Sequence, residues 1–255
     1  MAVNWLKTGA DSAKIAQQEE ANAQAYKEGK GKLFRFYLKD KEEAKITFID
    51  GDLSPEGLLL PPRYYEHSLA INGKWGNFFV CPEKTQPDAG YKCPICESGE
   101  RPSLVALFTI IDHRVQKSKD GQKVYKDQKR LLVAKTVTME MLTKIAIKRG
   151  GLAGCTFDVT RMGDTSASVG SMFDFGEKND VTFLRSQFTK ETEDPVTKAK
   201  KQETYFEAAN YEDEVVFRTP DELLKMGMGS KSFSGPALSP GGANPITKSQ
   251  YADKL

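Results

Sequence analysis

The sequence predicts a mainly β protein of the α+β class, and three observations predict it. Short stretches alternate apolar and polar residues along much of the chain, which is the period of a half-buried strand. Helix-period stretches are few. Four side chains able to hold a metal crowd into residues 67–96, although the chain has only 2 His and 4 Cys.

Length and composition set the frame. At 255 residues the chain is one large or two small domains, with enough apolar residues to build a core without covalent staples. Lys+Arg 37 against Asp+Glu 35 leaves the charge almost balanced, so any basic surface has to be local. Neither a signal peptide nor a run of 18 apolar residues is present, and the expected location is cytoplasmic. In such a reducing compartment clustered cysteines read as metal ligands before they read as disulfides.

In chain order, residues 1–31 form a separate arm, rich in Ala, Gln, Glu and Lys, that favours helix but has too few apolar positions for a strong stripe. Residues 33–39 alternate, with Phe34, Phe36 and Leu38 on one face and Arg35 and Tyr37 on the other. A charged turn then leads to a second alternating stretch with Ile46 and Phe48 inward, and the two are expected to pair as a hairpin. The run at 103–113 is continuously apolar and suits a strand buried on both faces. Asp120-Gly121 marks a hairpin turn inside a strongly basic segment. From Arg114 to Lys135 there are eight cations against two acids, a net +6. A helix is expected from Thr138 to Arg149, with Met139, Leu142, Ile145 and Ala146 as its core face and Gly150 at its end. Strands are expected at 155–161, 172–176, 181–188 and 203–211, with a polar loop over 189–201. Thr219, Pro220 and Glu222 open a short capped helix. The Ser/Gly/Pro-rich chain after Gly229 is expected to be a disordered tail.

His67, Cys81, Cys93 and Cys96 follow the spacing H-x13-C-x11-C-x2-C. Three thiolates and an imidazole make a closed tetrahedral set of the kind a structural zinc ion takes. A two-residue turn at Asn72-Gly73 would send His67 and Cys81 to opposite faces of their hairpin. A five-residue loop over 72–76 brings them together, with Trp75 at its tip, and that loop is the expectation. His113 is the alternative fourth ligand, while its ordinary role would be a hydrogen bond at a strand end. Cys155 reads as a small buried residue.

Short alternating strands with one helix midway match a five-stranded, partly open OB-fold barrel, here over residues 32–218. Its zinc subdomain falls at about 61–100, and the short helix and tail occupy 219–255. Such barrels bind single strands with a basic groove and aromatic platforms. The candidate nucleic-acid contacts are Arg35, Tyr37, Tyr64, Tyr65, Trp75, Arg114, Lys117, Lys119, Lys123, Tyr125, Lys126, Lys129 and Arg130.

The phrases F-R-F-Y-L-K, I-T-F-I-D-G-D-L, Y-E-H, N-F-F-V-C, C-P-I-C-E and R-L-L-V-A-K, with the ligand order above, resemble the zinc-containing single-stranded-DNA-binding proteins of tailed bacteriophages. The resemblance covers roughly residues 33–185. It implies one structural Zn2+ on His67, Cys81, Cys93 and Cys96, and a protein that coats single-stranded DNA without sequence preference in replication, recombination and repair. It also implies self-association through the N-terminal arm and contacts with replication proteins. The family's acidic tail does not carry over, because Lys231, Lys248 and Lys254 stand there against Asp253 alone. A deaminase would need His-x-Glu, where this chain has Glu66-His67, and an open coordination position, so no enzyme is expected. The rival reading is a zinc-ribbon adaptor that contacts replication or transcription proteins.

Overall fold

A computed structural model describes residues 9, 12–13, 33–71, 74–118, 121–122, 124–193 and 200–229. The expected arm over 1–31, apart from residues 9 and 12–13, and the expected tail after Gly229 lie outside the described residues. Among the described residues no helix is long and apolar enough to cross a membrane.

The chain is mainly β and antiparallel, and its central strand is the apolar run. This strand, β4 (Ser103–Asp112), is buried from Val105 to Asp112. One edge pairs with β7 (Gln128–Lys135), from Val105 opposite Lys135 to Asp112 opposite Gln128. The other edge is shared. Its first half takes β2 (Arg63–Ile71) and its second half takes β1 (Glu43–Phe48). The sheet continues from β1 to β8 (Cys155–Thr160) and β9 (Met172–Lys178), and from β2 to β3 (Lys74–Val80).

Burial on both faces of β4 follows from two separate cores. Ala106, Phe108 and Ile110 point into the larger one with Phe48, Phe157 and Leu132. There Phe48 meets Phe108 and Phe157 edge-to-face, at ring separations of 5.7 and 5.6 Å. Burying each such ring contributes roughly 1.5–3 kcal/mol. A helix of Thr136–Arg149 closes this core with Met139, Leu142 and Ala146, and Gly150 ends it in the left-handed region at φ 67. The helix starts two residues before Thr138 because β7 runs directly into it. Lys135 is both the last strand residue and the uncapped N-cap, and Thr138 is buried inside. Val105 and Leu107 point the other way, into a second core with Tyr64, Val80 and Leu131 that Tyr211, Val215 and Phe217 cover. The Tyr211 hydroxyl donates to Asp50, whose burial pushes its carboxyl up to about 6.

Several expectations need correction. Residues 33–39 do not form a hairpin with β1. They run as a strap alongside β7 in the parallel sense, with Phe36 N–H donating to Leu131 O and Leu131 N–H to Phe34 O. Leu38 N–H then donates to Ser168 O, so the strap crosses from β7 to the loop that joins β8 to β9. Phe36 and Leu38 point inward as alternation requires, but Phe34 is 75% exposed, next to Leu33, whose N–H donates to Glu214 at 2.7 Å. Residues 181–188 are not a strand. Val181–Gln187 is a helix whose cap Asp180 accepts from Phe183 N–H at 3.0 Å. Within the expected polar loop Thr189–Glu193 pairs antiparallel with Lys200–Thr204, and most of 203–211 is irregular chain leading into a short helix, Tyr211–Glu214. The capping box of Thr219 and Glu222 is present and opens Pro220–Lys225.

Candidate metal centre and adjoining groove

The β2–β3 hairpin carries the metal centre, and its register differs from the expectation. Ile71 pairs with Lys74, so the connection is the short one at positions 72–73, which lie outside the described residues. Nearer the site Leu69 pairs with Asn77 and His67 with Phe79, so the register slips between Leu69 and Ile71. β3 holds an extra residue there, and Gly76 at φ 101 supplies the backbone that such a bulge needs. The slip does what the longer loop would have done. Cys81 N–H donates to Tyr65 O, which puts Cys81 on the same face as Tyr65 and His67. Trp75 belongs to β3 rather than to a loop tip, and its side chain lies outside the described residues.

Two knuckles deliver the remaining thiols. Cys81 is the N-cap of Pro82–Thr85 and Cys93 the N-cap of Pro94–Glu97, each with Pro at the first helical position. Cys96 follows one turn later on the second knuckle. Glu83 accepts from Cys93 N–H at 3.0 Å and ties one knuckle to the other. The four ligand atoms lie within 4.8 Å of one another. Cys81 Sγ to Cys96 Sγ is 3.6 Å, and His67 Nε2 lies 3.4 Å from Cys93 Sγ and 3.6 Å from Cys96 Sγ. A tetrahedron with Zn–S of about 2.3 Å and Zn–N of about 2.0–2.1 Å has edges of about 3.8 Å between sulfurs and about 3.6 Å from sulfur to nitrogen. This His/Cys group can therefore hold a metal ion, and its dimensions are compatible with zinc. A disulfide is excluded, since its sulfurs would stand about 2.05 Å apart, and all four cysteines are free.

The electrostatics point the same way. Burial depresses His67 to about 4, against the opposing charge of Glu66, so the imidazole is neutral and able to ligate. Burial and the neighbouring sulfurs push the Cys93 and Cys96 thiols upward. A bound cation reverses that balance, because it stabilises the thiolates that desolvation opposes. Leu69, Phe79, Ile95, Leu223 and Met228 wrap the cluster. His113 is not a ligand; its ring nitrogens bond Asp127 at 2.6 Å and Thr47 at 2.8 Å. Cys155 lies in the main core, with its thiol donating to Gly151 O.

The opposite face of the hairpin looks into a groove. A cavity of about 490 Å³ lies between it, the strap, β7 and the β8–β9 loop, and Tyr37, Ser68, Phe78, Val133, Lys135 and Ser168 are among its walls. A second cavity of about 250 Å³ adjoins it toward Tyr64, Val80 and Arg218.

The candidate nucleic-acid residues divide. Arg35 lines both cavities, and Tyr37, 52% exposed, lines the larger. Tyr64 lines the smaller cavity but is itself buried, its hydroxyl donating to Glu66 at 2.5 Å. Tyr65 packs on the metal side, away from the groove. Arg114 is not a free cation, since it pairs with Asp112 at 2.7 Å and Glu42 at 2.5 Å. Lys117, Tyr125 and Lys126 are exposed on or beside the small antiparallel pair of β5 (Gln116–Lys117) with β6 (Val124–Tyr125). Lys129 is half-buried, and Arg130 bonds Gln116 with its guanidinium 5.3 Å from the Phe34 ring. Lys119 and Lys123 lie outside the described residues. Sequence reasoning missed Phe78, Glu66 and Arg218 as groove residues. The signal for Phe78 was present in N-F-F-V, because Phe79 facing the metal forces Phe78 to the other face. No family model, curated protein or solved structure matches the chain.

Proposed function

We propose that the chain is a sequence-nonspecific single-stranded-DNA-binding protein built on an OB-type barrel and braced by one structural zinc ion. The chain order β1, β4, β7, helix, β8, β9 follows the five strands of that fold, with its helix between the third and fourth. In this correspondence the metal hairpin is an insertion between the first and second strands, and residues 161–171 join the fourth to the fifth.

The single observation that carries the reading is the position of the 490 Å³ cavity. Oligonucleotides bind OB-folds on the face of strands two and three, between the first and last interstrand loops. The cavity's walls come from the third strand (Val133 and Lys135 of β7), the inserted hairpin (Ser68 and Phe78) and the last loop (Ser168 and Val169), and the strap adds Arg35, Phe36 and Tyr37. Exposed Tyr37 and Phe78 supply π faces, and Lys135 supplies charge. The four-ligand metal centre leaves no position for a reacting water, which favours a brace over a catalyst. In the same reading the chain protects single strands during replication, recombination and repair, and the arm over 1–31 supplies self-association.

Fluorescence titration with an unstructured oligonucleotide and with a duplex of the same length tests the proposal. Single strands are expected to bind, with affinity falling steeply as salt rises. Equal affinity for duplex, or binding indifferent to salt, would sink it and favour the adaptor.

A further inference from the structure

The two cavities of the groove share one wall, because Arg35, Glu66, Gly76 and Phe78 line both. In that wall a guanidinium lies over an aromatic ring. The Arg35 guanidinium carbon lies 3.5 Å from the centroid of the Phe78 ring. The guanidinium is held there from one side. Nη1 donates to Glu66 Oε1 at 2.9 Å, and Nη2 donates to Glu66 Oε2 at 2.5 Å and to the Tyr64 hydroxyl at 3.2 Å. Tyr64 in turn donates to the same Glu66 oxygen. Glu66 is 4% exposed and Tyr64 7%, so the grip is anchored inside the protein while Phe78, 37% exposed, reaches the groove.

This arrangement separates two properties of arginine. The buried Glu66 carboxylate balances the guanidinium's charge and, with Tyr64, engages both terminal nitrogens, which makes Arg35 a poorer phosphate ligand. A guanidinium fixed in a plane still offers its flat face, and nucleobases stack on such faces as they do on aromatic rings. Other cations lie to either side, with Lys135 on the larger cavity and Arg218, alongside Glu214, on the smaller.

We infer that the Arg35–Phe78 plate is a stacking partition that takes one nucleobase in each adjoining cavity, so that two consecutive bases bracket an arginine that does not neutralise phosphate. The inference rests on the single-strand reading above and names how that site engages its strand.

Arg35→Lys is the test, since it retains the charge and the ion pair with Glu66 but removes the plane. Wild type and R35K are titrated with a fluorescent oligothymidylate across a series of salt concentrations. The expected result is an affinity loss of about tenfold with an unchanged slope of log affinity against log salt. An oligonucleotide carrying 2-aminopurine should lose part of its stacking quench in R35K, a signal that a purely structural role would not move. Unchanged affinity of R35K overturns the plate, and so does a salt slope smaller by about one in Arg35→Met, which removes the charge and would thereby mark a phosphate contact. Wild-type protein that fails to bind overturns the single-strand reading itself. Should metal content and melting show R35K to be misfolded, Phe78→Leu is read in its place, with the same losses expected and unchanged binding overturning the plate.

Discussion

The two faces of the β2–β3 hairpin are built from the same few residues by opposite means. One face carries His67 and Phe79 and closes over sulfur, imidazole and aliphatic packing, with His67 1% exposed. The other carries Glu66, Ser68 and Phe78 and stays open to a groove. Period-two alternation makes neighbours in sequence belong to different chemistries. What the comparison teaches is that the metal need not touch a ligand to matter. An ion held by His67 and the three cysteines would fix the strand whose other side presents Glu66 and Phe78.

The most drastic way to break the comparison is to remove the metal. Metal analysis should return about one zinc per chain. Chelation, or Cys93→Ser, should cost on the order of 10 kcal/mol of local binding energy and lower the melting temperature by roughly 10 °C or more. Calorimetry with and without chelator checks it, and a metal-free protein that melts unchanged would deny the brace.

Adjacent phenylalanines then separate the faces. Phe79→Ala empties a buried site against the metal cluster and should cost about 3 kcal/mol in denaturant unfolding. Phe78→Ala should cost less than about 1 kcal/mol of stability but weaken oligonucleotide binding by about 1–3 kcal/mol. If the two variants behave alike in both assays, the faces are not distinct.

Gly76→Ala probes the slip that aligns them. A Cβ there would meet no atom within 4 Å, so its cost is backbone strain alone at φ 101. About 1–3 kcal/mol is expected from urea midpoints. The smallest effect, about 1 kcal/mol, should come from Thr219→Ala, read by the same midpoints. It loosens the capped helix whose Leu223 covers the metal cluster.

The ligand set was legible in the sequence because four rare side chains within a short span leave little else to assign. The central strand, the end of the long helix at Gly150 and the Thr219 capping box were legible for a related reason: each is specified locally. What escaped was specified by partners far along the chain. Alternation at 33–39 told which side chains point inward, but Leu131 and Ser168 decide that the segment is a strap instead of a hairpin arm. Arg114 counted toward a basic surface until Asp112 and Glu42 were found around it. The hairpin register was misread because a bulge after a short turn and a longer loop bring His67 and Cys81 together equally well. The pairing of Ile71 with Lys74 distinguishes them. Residues 181–188 had a readable signal, Asp180 before an apolar run, but their β-branched and aromatic start outweighed it.

The central claim is that metal on one face of the hairpin sets a strand-binding groove on the other. Its most direct test is oligonucleotide affinity measured on one sample before metal removal, after removal and after zinc is restored. The account predicts that single-strand binding is lost with the metal and returns with it. Undiminished binding by metal-free protein would contradict it.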